Sequence, residues 1–207
     1  MVKKPTTCDL LLQMIEVSST FRNLKKNAVV FGSARTQPDE PAYRLARQLG
    51  RALAVLGYNV ITGGGPGIME AANKGAYEVG SGKSIGLNLD LPCETYVNKY
   101  QEISMNFTSF MPRKYGFFFD TDVYFVMPGG DGTLDELYEA RTLMHTGMMK
   151  KAPIVLVTKD FWEYLEIWMK ECPIKAGTIS KSAMKDMTIV DTVEDALGAG
   201  GVYQWGV

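Results

Sequence analysis

Three cysteines and a single histidine are all the soft metal ligands that a chain of 207 residues offers. Cys8, Cys93 and Cys172 are far apart, odd in number and form no Cys-x-x-Cys pair. That excludes a disulfide framework and a zinc site of ordinary spacing, and no metal or cofactor is expected. Free thiols of this kind fit a reducing, cytoplasmic setting. Long apolar runs are also missing: no stretch approaches the ~18 residues of a membrane helix. The segment Asp9 to Glu16 is too short and too interrupted by charge for a secretory leader. Neither charge is in excess, with 22 basic against 23 acidic residues and a formal net charge of −1. Such a chain has no long-range field to draw it to nucleic acid or an anionic membrane, and neither is expected as a partner.

What is present is an ordinary globular composition, 46% hydrophobic and 22% charged, which excludes disorder and fibrous repeats. At roughly 150 residues per domain, one domain is the expectation. Its predicted limits are residues 28–198, after an amphipathic helical extension over residues 1–27 that covers the fold or meets another subunit. The glycine-rich residues 199–207 read as a flexible tail.

Six short β-branched or apolar runs alternate with helical stretches: 28–31, 58–61, 84–87, 123–126, 154–157 and 187–190. A weaker seventh is Glu102-Ile103-Ser104-Met105. Leu45, Leu49, Leu53 and Leu56 make one helical stripe, which Gly57 should stop; Leu134, Leu137, Ala140 and Met144 make another. Alternation of this kind predicts an α/β fold, a Rossmann-like doubly wound parallel sheet of about six or seven strands with helices on both faces. Right-handed crossovers then bring every strand's C-terminal end to one edge, where ligands bind.

Three glycine-rich turns fall at that edge. They are Phe31-Gly32-Ser33-Ala34-Arg35, Ile61-Thr62-Gly63-Gly64-Gly65-Pro66-Gly67-Ile68 and Met127-Pro128-Gly129-Gly130-Asp131-Gly132-Thr133-Leu134-Asp135-Glu136. Glycine lets a ligand approach the main chain, and the helix that follows offers free N–H groups and the positive end of its dipole. A phosphate is the natural guest, with Ser33 or Thr133 adding a hydroxyl. One such turn is commonly structural, but several on a common edge point to an anion site. None has the Walker form, and none matches GxGxxG with an acidic residue on the next strand.

Asp135 and Glu136 are expected in the first turn of the helix that follows, where Asp135 reads either as a cap or as a working carboxylate. A carboxylate beside a bound sugar phosphate can stabilise an oxocarbenium-like centre or activate a water. Arg113 and Lys114, at the start of the preceding helix, can hold a carboxylate or phosphate.

Together these residues resemble the LONELY GUY family, phosphoribohydrolases that activate cytokinins and were long described as lysine decarboxylases. Pro128 to Glu136 matches its PGGxGTxxE pattern, Arg113-Lys114 its Arg-Lys pair, and Gly63 to Met69 its second glycine loop. The stretches Leu87 to Glu94 and Thr142 to Gly147 are also similar to members of the family. The resemblance implies hydrolysis of the N-glycosidic bond of a nucleoside 5′-monophosphate, such as AMP or a cytokinin riboside 5′-monophosphate. The products are free base and ribose 5-phosphate. It implies a homodimer or larger assembly with the active site near the subunit interface. Arg113 and Glu136 match the catalytic pair. Glu94, Lys114, Gly129, Gly130, Asp131, Gly132, Thr133, Leu134, Asp135 and Thr142 match substrate contacts, and Ser33, Gly64 and Gly65 would form a second phosphate loop. Asp131 departs from the family, whose variable position is usually aromatic or aliphatic. Like charges ~4 Å apart repel by about 4 kcal/mol at an effective dielectric near 20. Its side chain should therefore turn away from a phosphate or meet ribose hydroxyls.

Two other readings share these loops. The same fold serves as a carrier of nucleotide or molybdenum cofactor without hydrolysis, against which the intact Arg113 and Glu136 argue. Gly129 to Thr133 also resembles the GGDGT signature of NAD and lipid kinases, but 74 residues of strand–helix pattern follow it in place of a strand-rich domain. His145 reads as a helix-end histidine. Phe161, Trp162, Tyr164 and Trp168 read as packing, and Met69 and Met111 are candidates to line a base pocket.

Overall fold

The computed structural model describes residues 5–90 and 96–202. Seven strands form one sheet in the order β4-β3-β2-β1-β5-β6-β7, every neighbouring pair parallel. They are β1 (Asn27–Phe31), β2 (Asn59–Thr62), β3 (Ser84–Leu89), β4 (Ile103–Phe107), β5 (Val123–Val126), β6 (Ile154–Val157) and β7 (Met187–Val190). The helices are α1 (Thr7–Phe21), α2 (Pro41–Val55), α3 (Ile68–Tyr77), α4 (Phe110–Phe118), α5 (Asp131–His145), α6 (Lys159–Met169) and α7 (Val193–Ala199). The fold is the Rossmann-like α/β architecture that the strand–helix alternation predicts.

Successive side chains of a strand point to opposite faces, and here both faces are covered. Ala28, Val30, Val60, Val123, Phe125 and Val155 join α2, α3 and α7 in one core. Val29, Phe31, Ile61, Ile85, Leu87, Tyr124 and Leu156 join α1, α4, α5 and Trp162 of α6 in the other. The central strands are therefore unbroken apolar runs and easy to recognise. β4 is an edge strand with alternating exposure, the reason its sequence signal is weak and displaced. Glu102 precedes it, and its carboxylate accepts from the Ser84 N–H at 3.0 Å.

A capping box opens α1. Thr6 Oγ1 accepts from the Asp9 N–H at 3.2 Å, and the Asp9 carboxylate accepts from the Thr6 N–H at 2.8 Å. The helix buries Val17 and Phe21 against the second core and leaves Leu11, Leu12 and Ile15 more than half exposed. At the other end, the predicted tail begins inside α7, and Val202 is buried in the first core. Residues 203–207 lie outside the described residues.

Two expectations need correction. Helix α5 starts at Asp131, so Asp135 and Glu136 fall in its second turn, and no side chain caps it. The glycines of the turn do not delay the helix, because Gly132 is already its second residue. Of the aromatic residues on α6, Trp162 alone is core, its indole N–H donating to the Val157 carbonyl at 3.1 Å. Phe161, Tyr164 and Trp168 stand on the outer face, 46%, 71% and 50% exposed.

Helices α2 and α3 cross closely because Gly50 and Gly75 lie at the contact. A Cβ on Gly50 would collide with the Ala72 carbonyl, and one on Gly75 with the main chain of Arg47 and Arg51. Glycine to alanine inside a helix ordinarily stabilises by up to about 1 kcal/mol. Here Gly75→Ala is expected to destabilise by about 2 kcal/mol, lowering Tm by about 4–8 °C, because main chain rather than a flexible side chain must move. A calorimetric Tm equal to or above that of the parent would contradict the close crossing.

Candidate active site

The order of the strands reverses between β1 and β5, and their C-terminal ends carry the first and third glycine turns. The second turn follows β2, the other neighbour of β1. Main-chain hydrogen bonds tie the three together: Ser33 N–H donates to the Pro128 carbonyl at 2.9 Å, and Ile68 N–H donates to the Ser33 carbonyl at 3.0 Å. Gly67, at φ 67°, permits the second contact, since a Cβ there would strike the main chain of Ser33 and Ala34. In α5 the Leu134 N–H bonds back to the Gly130 carbonyl at 3.0 Å. The amides of Gly130, Asp131, Gly132 and Thr133 precede it and have no partner within the helix. They stand at the positive end of the α5 dipole, a geometry that can receive an anion. Thr133 is buried against Gly129, while Asp131, the first helical residue, is exposed.

Arg113 and Glu136 come together. Helix α4 directs Arg113 under the sheet edge, where Nε donates to the Leu87 carbonyl at 2.8 Å and Nη2 to the Gly63 carbonyl at 3.3 Å. The guanidinium carbon sits 5.1 Å from the Phe117 ring centre, a cation–π contact. Nη1 lies 3.7 Å from Glu136 Oε1, the two side chains being 12% and 13% exposed. Burial lowers the pKa of Arg113, with Glu136 opposing. Burial likewise raises Glu136 from 4.5 to about 7, against the pull of Arg113. The ion pair therefore holds a carboxyl poised near neutrality.

Beside it Lys114 bridges α4 to α5, its Nζ 2.5 Å from Asp135 Oδ2 and 2.7 Å from Glu139 Oε2. Asp135 is thus an ion-pair partner rather than a cap. Glu139 is a further member that no motif position signalled; its i+4 spacing from Asp135 is the only hint in the sequence.

A cavity of about 390 Å³ opens on the other side of Arg113, lined by Gly63, Gly65, Pro66, Met69, Asn88, Leu89, Asp90, Tyr96, Val97 and Phe110. Its size is that of a small-molecule site. Met69 lines it as expected; Met111 is 63% exposed and does not. The glycine loop that forms its wall is held by buried amides. Asn98 Nδ2 donates to the Gly64 and Gly65 carbonyls at 3.0 and 3.1 Å, and Gln101 Nε2 donates to the Gly64 carbonyl at 2.9 Å. Asn73, Thr62 and Ser84 continue the network inward. Sequence reasoning missed these residues; their one signal was polar side chains inside apolar strands and an alanine-rich helix.

Thr142 is not brought to this place. It is exposed on α5, its hydroxyl donating to the Tyr138 carbonyl at 2.7 Å, and lines a second cavity with His145, the last residue of the helix. Glu94 lies outside the described residues. Among the described residues no group of histidine, cysteine, aspartate and glutamate is arranged to hold a metal ion. No described helix is long and apolar enough to cross a membrane.

A Rossmann-like sheet thus carries a glycine-rich turn and a buried acid–guanidinium pair beside its switch point. The sequence profile of a family described as "Possible lysine decarboxylase" matches residues 69–199. The cytokinin riboside 5′-monophosphate phosphoribohydrolase of Mycobacterium tuberculosis is 31% identical over 159 residues, 75% of this chain and 83% of that protein. Its namesake from Mycobacterium marinum is 29% identical over 173 residues, 83% of this chain and 91% of that protein. The chain belongs to this family, the LONELY GUY family of the resemblance drawn from its motifs. Among solved structures it is similar to the molybdenum cofactor binding protein of Rippkaea orientalis, with a TM-score of 0.63 and 22% identity over 85% of this chain and 94% of that one. It is also similar to the molybdenum cofactor carrier protein of Chlamydomonas reinhardtii, with a TM-score of 0.58 and 23% identity over 84% and 95%. These two share its fold.

The raised pKa of Glu136 has a consequence for stability. A carboxyl whose folded pKa lies above its unfolded value favours folding fully below the unfolded pKa, here 4.5, and loses that contribution as pH climbs through about 7. Relative to Glu136→Gln, the parent should lose roughly 3 kcal/mol between pH 4.5 and 8. Urea unfolding of both proteins at several pH values measures it; parallel curves would rule out a buried, shifted carboxyl.

Proposed function

We propose that this protein hydrolyses the N-glycosidic bond of a nucleoside 5′-monophosphate, releasing free base and ribose 5-phosphate. The observation that carries the reading is the buried Arg113–Glu136 pair, 3.7 Å apart, on the helices that flank the anion-binding turn. The 5′-phosphate is received by the amides of Gly130 to Thr133, with Ser33 and Thr133 adding hydroxyls, and this fixes the ribose in one pose. Gly129, Leu134 and Asp135 complete the turn around it. Gly64, Gly65 and Met69 stand on the side toward the base, adenine or a prenylated adenine.

As the C1′–N bond breaks, its electron pair leaves with the base, which takes a proton from solvent. Positive charge grows at C1′ and the ring oxygen, and Glu136, as a carboxylate, stabilises it. A water then adds its oxygen to C1′ and gives up a proton, Glu136 being the nearest base. Arg113 holds Glu136 in place and keeps its carboxylate form accessible near neutrality. Lys114 anchors Asp135, and through it the start of α5. The exposed apolar residues Leu11, Leu12 and Ile15 on α1 suit burial in a homo-oligomer. The names of the relatives support this reading, and turnover separates it from a carrier, which would bind nucleotide and release no base.

Three outcomes are expected from a base-release assay on AMP, other monophosphates and isopentenyladenine ribotide. Glu136→Gln should reduce kcat/KM by 10²–10⁴-fold, the usual scale for a lost acid–base group. In the parent, kcat/KM should rise as pH increases through about 7 and then level, because the ionised form of Glu136 is the working one. A profile that falls over that range would make Glu136 a proton donor instead. Arg113→Lys should keep a charge yet lose at least tenfold, since an ammonium cannot reach Leu87, Gly63 and Glu136 together. Equal activity in all three proteins would refute the assignment.

A further inference from the structure

The second cavity, of about 190 Å³, lies between the C-terminal half of α5 and residues 178–186. It contains a buried cation without an ion-pair partner among the described residues. Arg141 is 9% exposed and forms no ion pair with a carboxylate among the described residues. Its Nη2 donates to the Ala183 carbonyl at 3.2 Å, and its Nη1 reaches only the Met169 sulfur at 3.7 Å. Its Nε is buried without any hydrogen-bond partner. The Tyr138 hydroxyl is buried and unpartnered too. The guanidinium carbon lies 5.3 Å from the centre of the Tyr138 ring, a cation–π contact, and opposes the rise in the phenol's pKa that burial causes, while Arg141 Nε and the Tyr138 hydroxyl are left without a hydrogen bond. A buried guanidinium is ordinarily paired, and leaving its donors unmet is costly.

We propose that Arg141 and Tyr138 form an oxyanion site, distinct from the Arg113–Glu136 centre, for a small phosphorylated or carboxylated molecule. Arg141 Nε–H and the Tyr138 O–H supply adjacent donors for two oxygens of one anion, the fork that guanidinium offers to phosphate and carboxylate. The rest of the wall defines the ligand further. The hydroxyls of Thr142, Thr146 and Thr178 already donate to the carbonyls of Tyr138, Thr142 and Pro173, so each presents lone pairs to the cavity. Asp186 is another acceptor on the wall. The ligand therefore carries hydroxyl or amino donors beside its anion, as a sugar phosphate or a hydroxy acid does. Glu136 and Arg141 are five residues apart on α5, about 140° around the axis at 3.6 residues per turn, so the two sites face different directions. The proposal stands whether or not the protein is a hydrolase.

The test is a titration of the ¹⁵N-labelled full chain with inorganic phosphate, following the Arg141 Nε–H resonance. That resonance is assigned by its loss in Arg141→Met, or in Arg141→Lys should the first variant not fold. Phosphate is expected to displace it saturably, at least threefold more weakly in Tyr138→Phe, and equally well in Thr133→Ala, which removes the side-chain hydroxyl from the glycine-turn site. An acetate titration separates the sources of the anion: a response to both ligands assigns the site to oxyanions in general, and a response to phosphate alone to phosphoryl groups. No displacement beyond that given by chloride at equal ionic strength would overturn the proposal. So would a response unaffected by Tyr138→Phe, or one lost in Thr133→Ala.

Discussion

A guanidinium taken out of water must be met from every side, and Arg113 shows what that demand does to the chain around it. Its partners come from the end of β3, the loop after β2, an aromatic ring one turn along its own helix, and the second turn of α5. Of these partners only Phe117 is close in sequence to Arg113. Satisfying one side chain therefore fixes the relative positions of two strand ends and two helices. The same burial sets the chemistry. A carboxyl opposite this cation in water would be fully ionised near neutrality; shielded beside it, Glu136 titrates at about 7.

Much of the fold was legible because its physics is local. Both faces of the sheet are covered, so Val29, Val30, Phe125 and Val155 sit in runs with no polar interruption, and the strands declare themselves. Where only one side is covered the signal fades, as at Glu102 to Phe107 on the edge. The start of α5 was misplaced because glycine is a poor helix former, whereas Gly130 is its N-cap residue and Gly132 already lies within the helix. The stripe on α6 misled for a related reason: helical spacing identifies a face, but not whether another element lies over it.

The site divides along the same line. Arg113, Glu136 and the glycine turns stand out in the sequence as motif residues, and the fold brings Arg113 and Glu136 together. Asn98 and Gln101, which hold Gly64 and Gly65, were not, because they act through carbonyls more than thirty positions away. Arg141 was passed over because an arginine on a helix looks solvated until the elements around it are known. The molybdenum cofactor carrier protein shares this fold, so the architecture alone does not choose between carrier and hydrolase. The proposal of a hydrolase rests on the acid and the guanidinium.

The topology also dictates an order of assembly. Strands β1 to β4 are neighbours in sequence and in space, and can pair as soon as they exist. The contact that completes the switch point joins Asn27 to Asp122, 95 residues later in the chain. Closing so long a loop slows folding, and the pairing forms only after most of the chain has been made. Leu87 and Gly63 both precede Arg113 in the chain, so the carbonyls that hold its guanidinium are made before Glu136 is. A chain that ended before α5 would hold the Arg113 cation without its anion.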